Sequence, residues 1–284
     1  MLLSAFIREG TAALETIYPS PEARGMVLML CEDRLGVKSY THIIEPGTEV
    51  PEAMLPGLES EIGRLAAGEP VQYVLGFSEF HGRRFKVSPS VLIPRPETEE
   101  LVAMAVGHLR SLDRPARVLD LCTGSGCIAW SLSLDVPGCR VDALDISPGA
   151  LEIARTQFPG ETAPAFHLAD VLQDGSMKDF MPGYDLVLSN PPYVMESEKS
   201  SMRANVLDHE PGLALFVPDS DPLLFYRAVA RWSRGLLAPG GLGMVEINEA
   251  LGHETSDVFK DSGFRDVTEV PDIYGKARFV IFTK

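Results

Sequence analysis

Three short apolar runs in this chain each carry an aspartate at or beside their end, and the aspartates stand 25 residues apart: Asp120 in Arg117–Leu121, Asp145 after Val141–Leu144, Asp170 after Phe166–Ala169. That interval matches one strand plus one helix, so the runs are expected as successive β-α units with parallel strands. Parallel strands bring their C-terminal ends to one edge of the sheet, where ligands bind in open α/β folds. The three carboxylates are therefore expected along a single ligand-binding edge.

The first run continues into Cys122-Thr123-Gly124-Ser125-Gly126 and then an apolar helix, Cys127–Leu134. Strand, glycine turn and helix in that order let the backbone approach a ligand closely. The third glycine of the dinucleotide fingerprint is missing, so the turn suits a pyrophosphate poorly. An acidic edge favours a nucleoside with a diol for Asp145 and a cationic centre elsewhere, and S-adenosylmethionine, a sulfonium, has that chemistry. A lone aspartate is as readily a helix cap, worth ~1 kcal/mol. Three in phase with a glycine turn favour the ligand.

Further on, the strand-like Tyr184–Ser189 runs into Asn190-Pro191-Pro192-Tyr193. Proline disfavours the α region for the residue before it and supplies no N–H, so the sheet ladder must stop there. The strand thus carries an amide, two rigid rings and a phenol to its tip. The Asn190 side-chain oxygen and the Pro191 carbonyl are expected to form a preorganised pair of acceptors for a planar NH2 group, with Tyr193 over its face. An amide or amino nitrogen is then the reacting group. By itself the tetrapeptide also reads as a proline turn after a buried strand.

With 284 residues, 45% of them hydrophobic, the chain can bury a full core and more than one folding unit. Lys and Arg number 25 against 40 Asp and Glu, a net charge of −15, the wrong sign for gripping a polyphosphate over a broad surface. Cys31, Cys122, Cys127 and Cys139 form no Cys-x-x-Cys pair and have no histidine at ligand spacing, so reduced thiols, a cytoplasmic location and no metal site are expected. Arg8 and Glu9 break the first apolar run, arguing against a signal peptide, and no other run reaches membrane-spanning length. No apolar stripe is left over for a subunit contact, and a monomer is expected.

Residues 1–70 read as a helical domain, in which Ser20-Pro21-Glu22 supplies a helix start with a capping serine. Residues 71–95 read as a β-hairpin linker, its arms Val71–Leu75 and Arg84–Val87. Residues 96–284 are expected to hold the α/β domain. At its entrance, Ile93-Pro94-Arg95-Pro96-Glu97-Thr98-Glu99 is expected as a rigid lip over the site, leading into a helix. Val194–Glu210 is polar and expected as a mobile loop beside the site.

Taken together, Asp120–Gly126, Ala143–Ser147, Asp170, Ser189–Tyr193 and the Ile93–Glu99 segment resemble the release factor glutamine methyltransferases, the PrmC/HemK family, over nearly the whole chain. Asn-Pro-Pro-Tyr alone is shared with adenine-N6 and guanine-N2 methyltransferases; joined to Ile93–Glu99 it is specific. The resemblance implies a Rossmann-like, seven-stranded S-adenosylmethionine-dependent domain behind an N-terminal helical bundle. It implies methyl transfer to the side-chain amide nitrogen (N5) of the glutamine in the Gly-Gly-Gln motif of peptide chain release factors, with S-adenosylhomocysteine as product. By position it implies Cys122, Thr123, Gly124, Ser125 and Gly126 at the methionine end of the cofactor, Asp145 on the ribose, and Asp170 and Val171 beside the adenine. Asn190, Pro191, Pro192 and Tyr193 would surround the target glutamine, with Asn190 also near the cofactor. Two positions depart from the pattern: Cys122 stands where many relatives have glycine, and Val171 where an aromatic ring often packs on the adenine.

Glutamine methylation of a ribosomal protein is the nearest alternative, since that sister family shares the tip. A nucleic-acid base methyltransferase would need a basic reading surface, against the acidic balance. A noncatalytic binder of S-adenosylmethionine predicts binding without transfer.

Overall fold

The computed structural model describes residues 1–284 and divides into two compact units, Met1–Phe77 with Arg203–His209, and Ser78–Met202 with Glu210–Lys284. No helix is long and apolar enough to cross a membrane.

The first unit is helical: α1 (Leu3–Leu14), α2 (Ser20–Leu35), α3 (Thr41–Ile44), α4 (Leu55–Ala66) and α5 (Val71–Leu75). Helix α1 buries Leu3, Phe6, Ile7, Gly10 and Leu14 as one stripe. Gly10 allows close approach, because a Cβ there would stand 3.2 Å from Ile62 and 3.3 Å from Val27. Helix α2 begins one residue from the expected position: Pro19 occupies the cap, Ser20 makes no capping bond, and Gly36 ends the helix at φ 67°.

Val71–Leu75, expected as a hairpin arm, is helical. Short apolar runs fit either period; here Pro70 opens a turn of helix, Gly76 closes it at φ 86°, and Val71, Val74 and Leu75 join the helical core. The hairpin consists instead of β1 (Phe77–Phe80) and β2 (Arg83–Lys86). Its turn, His81-Gly82, has φ of 48° and 73°, the positive angles a two-residue hairpin turn requires.

The second unit continues with α6 (Pro96–Ser111), β3 (Arg117–Leu121), α7 (Cys127–Asp135), β4 (Arg140–Asp145), α8 (Pro148–Arg155), β5 (Ala165–Leu168) and β6 (Tyr184–Ser189). After β7 (Val194–Met195) the chain passes to the outlying segment of the first unit, where Ala204–His209 forms α9. It returns through β8 (Phe216–Val217), α10 (Leu224–Leu236), β9 (Leu237–Glu246), α11 (Gly252–Asp261), β10 (Arg265–Pro271) and β11 (Ala277–Thr283). The Val194–Glu210 stretch, expected as a loop, thus holds a strand and a helix, and β7 pairs with β8.

Seven strands form one sheet in the order β10-β11-β9-β6-β3-β4-β5. Strands β5, β4, β3, β6 and β9 are mutually parallel, and β11 and β10 close the sheet antiparallel. Parallel strands lie under cover on both faces. One core packs Leu101, Ile128, Trp130 and Leu186, the other Val187, Tyr226, Trp232 and Phe259. The chain moves from β3 outward through β4 to β5, then returns to place β6 on the other side of β3. That reversal makes a crevice at the C-terminal ends of β3 and β6.

Gly243, inside β9, has no room for a side chain. A Cβ on Gly243 would lie 2.1 Å from two carbons of the Phe282 ring. That ring is fully buried, stacked on Phe259 at 4.0 Å between centroids and tilted against Phe264 at 4.6 Å. With no room to yield, Gly243→Ala is expected to destabilise the protein by about 3 kcal/mol, the upper end for overpacking. Urea denaturation measures this, and an unchanged midpoint at equal m contradicts it.

Candidate active site

The site follows from strand register. Leu121 pairs with Leu144 on one side and Ser189 on the other, and Ser189 pairs with Val245. One residue further along, Asp145, Cys122, Asn190 and Glu246 therefore stand in a row across four neighbouring strands. A cleft opens beside this row.

Of the residues expected at the site, Cys122, Thr123, Gly124, Ser125, Asp145, Asp170, Val171, Asn190 and Pro192 line the cleft. Gly126, Pro191 and Tyr193 do not. Gly126 serves packing: at φ 79° it starts α7, and a Cβ would meet Ala154 and Trp130 at 3.1 Å. Pro191 is buried. The Tyr193 phenol donates to Glu246 Oε1 at 3.0 Å, and the Tyr193 carbonyl accepts from Asn248 Nδ2 at 3.2 Å. Burial, then the nearby Glu246 charge, raises the Tyr193 pKa well above its ordinary value, so this phenol stays protonated.

The glycine turn is held by Asp145, whose Oδ2 accepts the Gly124 N–H at 2.8 Å and whose Oδ1 accepts the Ser147 N–H at 2.9 Å. Desolvation raises the Asp145 pKa, and these backbone bonds oppose the rise. Beyond the end of β5, Asp170 Oδ1 accepts the Leu172 N–H at 2.8 Å. Val171 is 4% exposed, and its carbonyl accepts from Trp232 Nε1 at 2.9 Å. Cys122 has φ 62°, a left-handed conformation that glycine adopts without strain. Burial, then Asp145, raises its thiol pKa far above the usual range, so it is no nucleophile at neutral pH.

Asp120 departs from the expected row of three acids. It lies inside β3, one residue short of the edge, is fully buried and does not line the cleft. Its Oδ2 accepts from the Thr123 hydroxyl at 2.6 Å, and its Oδ1 has no partner. Burial pushes its pKa up to about 7, against the pull of Thr123. A raised carboxyl pKa means that the folded state holds a proton the unfolded state has lost, so stability falls as pH rises from about 4 to about 7. The full loss is on the order of 4 kcal/mol at 1.36 kcal/mol per pH unit. Asp120→Asn, which cannot ionise, is expected to remove that decline in denaturation of the ligand-free protein between pH 5 and pH 8. An equal decline in the variant contradicts it.

Two residues outside the expected set organise the tip. Asn190 Nδ2 donates to Thr98 Oγ1 at 3.0 Å, and the Thr98 hydroxyl donates to Glu246 Oε2 at 2.7 Å. Glu246 is 1% exposed; burial raises its pKa, opposed by Thr98, Tyr193 and Arg278. The segment leading to Thr98 is itself anchored, since Glu210 accepts from the Ile93 N–H at 3.1 Å and from Arg95 Nη2 at 2.6 Å. Leu92, Pro94, Arg95 and Thr98, from the segment expected as a lip, line the cleft. A polar residue ending an otherwise apolar strand, Glu246 in Gly243–Ile247, is the sequence signal for this network.

Fold and site together define a methyltransferase. The family model described as Methyltransferase small domain matches residues 103–209, and a PrmC N-terminal domain model matches residues 5–76. A methyltransferase structure from Pyrococcus furiosus shares the fold, at 15% identity and a TM-score of 0.50 over 80% of this chain and 98% of that one. More narrowly, the chain is 44% identical to the release factor glutamine methyltransferase of Bacteroides thetaiotaomicron across 98% of both chains. It is 35% identical to that of Flavobacterium psychrophilum across 99% of this chain and 98% of the other. The chain belongs to the release factor glutamine methyltransferase family.

Proposed function

We propose that this protein transfers a methyl group from S-adenosylmethionine to the side-chain amide nitrogen (N5) of the glutamine in the Gly-Gly-Gln motif of peptide chain release factors. The observation that carries this reading is the Asn190 carboxamide at the cleft: its Nδ2 is engaged by Thr98, so its Oδ1 is left to accept from a substrate NH2.

The residues present fit the cofactor. Gly124 leaves the cleft floor bare, since nothing lies within 4 Å of where a Cβ would be. Asp145 and Asp170 give the lining negative charge, and its one basic side chain, Arg95, is bound to Glu210. Each Asp145 oxygen uses one lone pair on a backbone N–H and keeps another for a ribose hydroxyl. When bound, S-adenosylmethionine supplies an electrophilic methyl group on a sulfonium.

An amide nitrogen is a weak nucleophile because its lone pair is delocalised into the carbonyl. As acceptors, Asn190 Oδ1 in the cleft lining and the carbonyl of Pro191, whose ring is buried between the lining residues Asn190 and Pro192, hold the two N–H groups and aim the nitrogen in line with the methyl carbon. The two proline rings fix these acceptors in advance, so little reorganisation is needed at attack. The nitrogen loses its proton late, to water, as positive charge develops on it. Pro192 walls the cleft, and Tyr193 braces the tip through Glu246.

Incubation of the protein with methyl-labelled cofactor and, in separate reactions, release factor, ribosomal protein and RNA tests this. Mass spectrometry is expected to place one methyl on the release-factor glutamine. Label confined to ribosomal protein or RNA, or no transfer despite cofactor binding, contradicts it.

A further inference from the structure

We propose that Thr98 and Glu246 are positioning residues that fix which end of the Asn190 carboxamide faces the substrate, an inference that rests on Asn190 being the acceptor for the glutamine NH2. A carboxamide is nearly symmetric in shape, so sterics alone hold its oxygen and nitrogen in either order. Rotated by half a turn, Asn190 would present two N–H donors to the substrate NH2 and repel it. Something must select the productive order.

Proton counting along the network makes that selection. Glu246 accepts on both oxygens, from the Thr98 hydroxyl on Oε2 and from the Tyr193 phenol on Oε1. A threonine hydroxyl has one proton, and here it points at Glu246. The oxygen of Thr98 can then only accept from Asn190, so Nδ2 is the end that faces it. The reversed carboxamide would set its oxygen against the Thr98 oxygen with no proton between them. The three groups come from α6, β9 and the turn after β6, and Thr98 is 2% exposed, so water does not scramble the order. Burial strengthens each bond and makes an unpaired group costly.

This gives the Ile93–Glu99 segment a chemical task besides that of a lip: it delivers one hydroxyl to the back of the acceptor. It also gives Tyr193 a place in the same device. The phenol holds Glu246 Oε1, which leaves Oε2 to take the Thr98 proton.

The test measures single-turnover methyl transfer to release factor at saturating cofactor, together with cofactor affinity by calorimetry. Thr98→Val keeps the shape and removes the hydroxyl; it is expected to slow transfer about 30-fold with cofactor affinity unchanged, while Thr98→Ser stays within about three-fold of wild type. Because Thr98 acts through Asn190, adding Thr98→Val to an Asn190→Ala protein is expected to change the rate less than about two-fold. Glu246→Gln places an N–H where one hydroxyl proton pointed and is expected to slow transfer through the same chain of bonds.

A wild-type rate in either Thr98→Val or Glu246→Gln overturns the inference. So does a Thr98→Ser protein as slow as Thr98→Val, or a further tenfold loss in the Asn190→Ala background. Absence of transfer by the wild-type protein strikes the functional reading first and this inference with it.

Discussion

Replacing Asn190 by alanine is expected to lower kcat for methyl transfer by about 10²–10³-fold, the size of effect found when one preorganised polar contact to a reacting group is removed. Cofactor affinity should stay within about two-fold, since the residues proposed to hold the nucleoside, Asp145 and the glycine turn, belong to other strands. Asn190 follows the last residue of β6, in register with Cys122 and Asp145, and its Nδ2 is already engaged by Thr98. Truncation removes one of two acceptors and leaves the weak nucleophile free to rotate about the remaining bond. The loss should fall on kcat rather than on KM for the protein substrate, because the carboxamide touches one side chain of a large partner. Rapid-quench kinetics with labelled cofactor measures both parameters. A normal kcat with a raised KM would make Asn190 a docking residue and remove it from the chemistry.

Asp145→Ala is expected to raise the cofactor Kd about 100-fold, equivalent to ~2.7 kcal/mol. Two losses add. The diol loses a charged acceptor, worth about 1.5–3 kcal/mol, and the Gly124 and Ser147 N–H groups lose their partner. The second loss also relaxes the glycine turn that forms the cleft floor. At saturating cofactor, kcat should recover most of its value, because Asp145 lies on the far side of Cys122 from Asn190 in the strand row. Calorimetric titration with S-adenosylhomocysteine measures the affinity. A Kd within about three-fold of wild type would show that Asp145 serves the turn and not the ligand.

Much of this architecture could be read from residue patterns. The parallel β-α alternation followed from the spacing of Asp120, Asp145 and Asp170, and the Pro-Pro step marked where β6 must stop. The errors share a physical origin. Asp120 has the right spacing but lies two positions before Cys122, the residue level with Asp145, so it sits within a sheet covered on both faces and is buried there. Val71–Leu75 is too short for its period to separate helix from strand, and the proline and glycine that flank it decide for helix. The Thr98–Glu246 connection spans 148 positions and depends on the packing of α6 against β9, which no local pattern encodes. Tyr193, grouped with the tip by sequence, turns away from the cleft because Glu246 supplies a buried acceptor for its phenol.

In the proposed reaction two oxygens meet one NH2 group beside the sulfur of the cofactor. A crystal structure of the protein with S-adenosylhomocysteine and a Gly-Gly-Gln peptide tests this most directly. The expected result is a glutamine amide nitrogen at hydrogen-bond distance, about 2.7–3.2 Å, from both Asn190 Oδ1 and the Pro191 carbonyl, on the side of the cleft that holds the sulfur. A glutamine seated elsewhere, or an Asn190 carboxamide turned with Nδ2 toward it, would contradict the account.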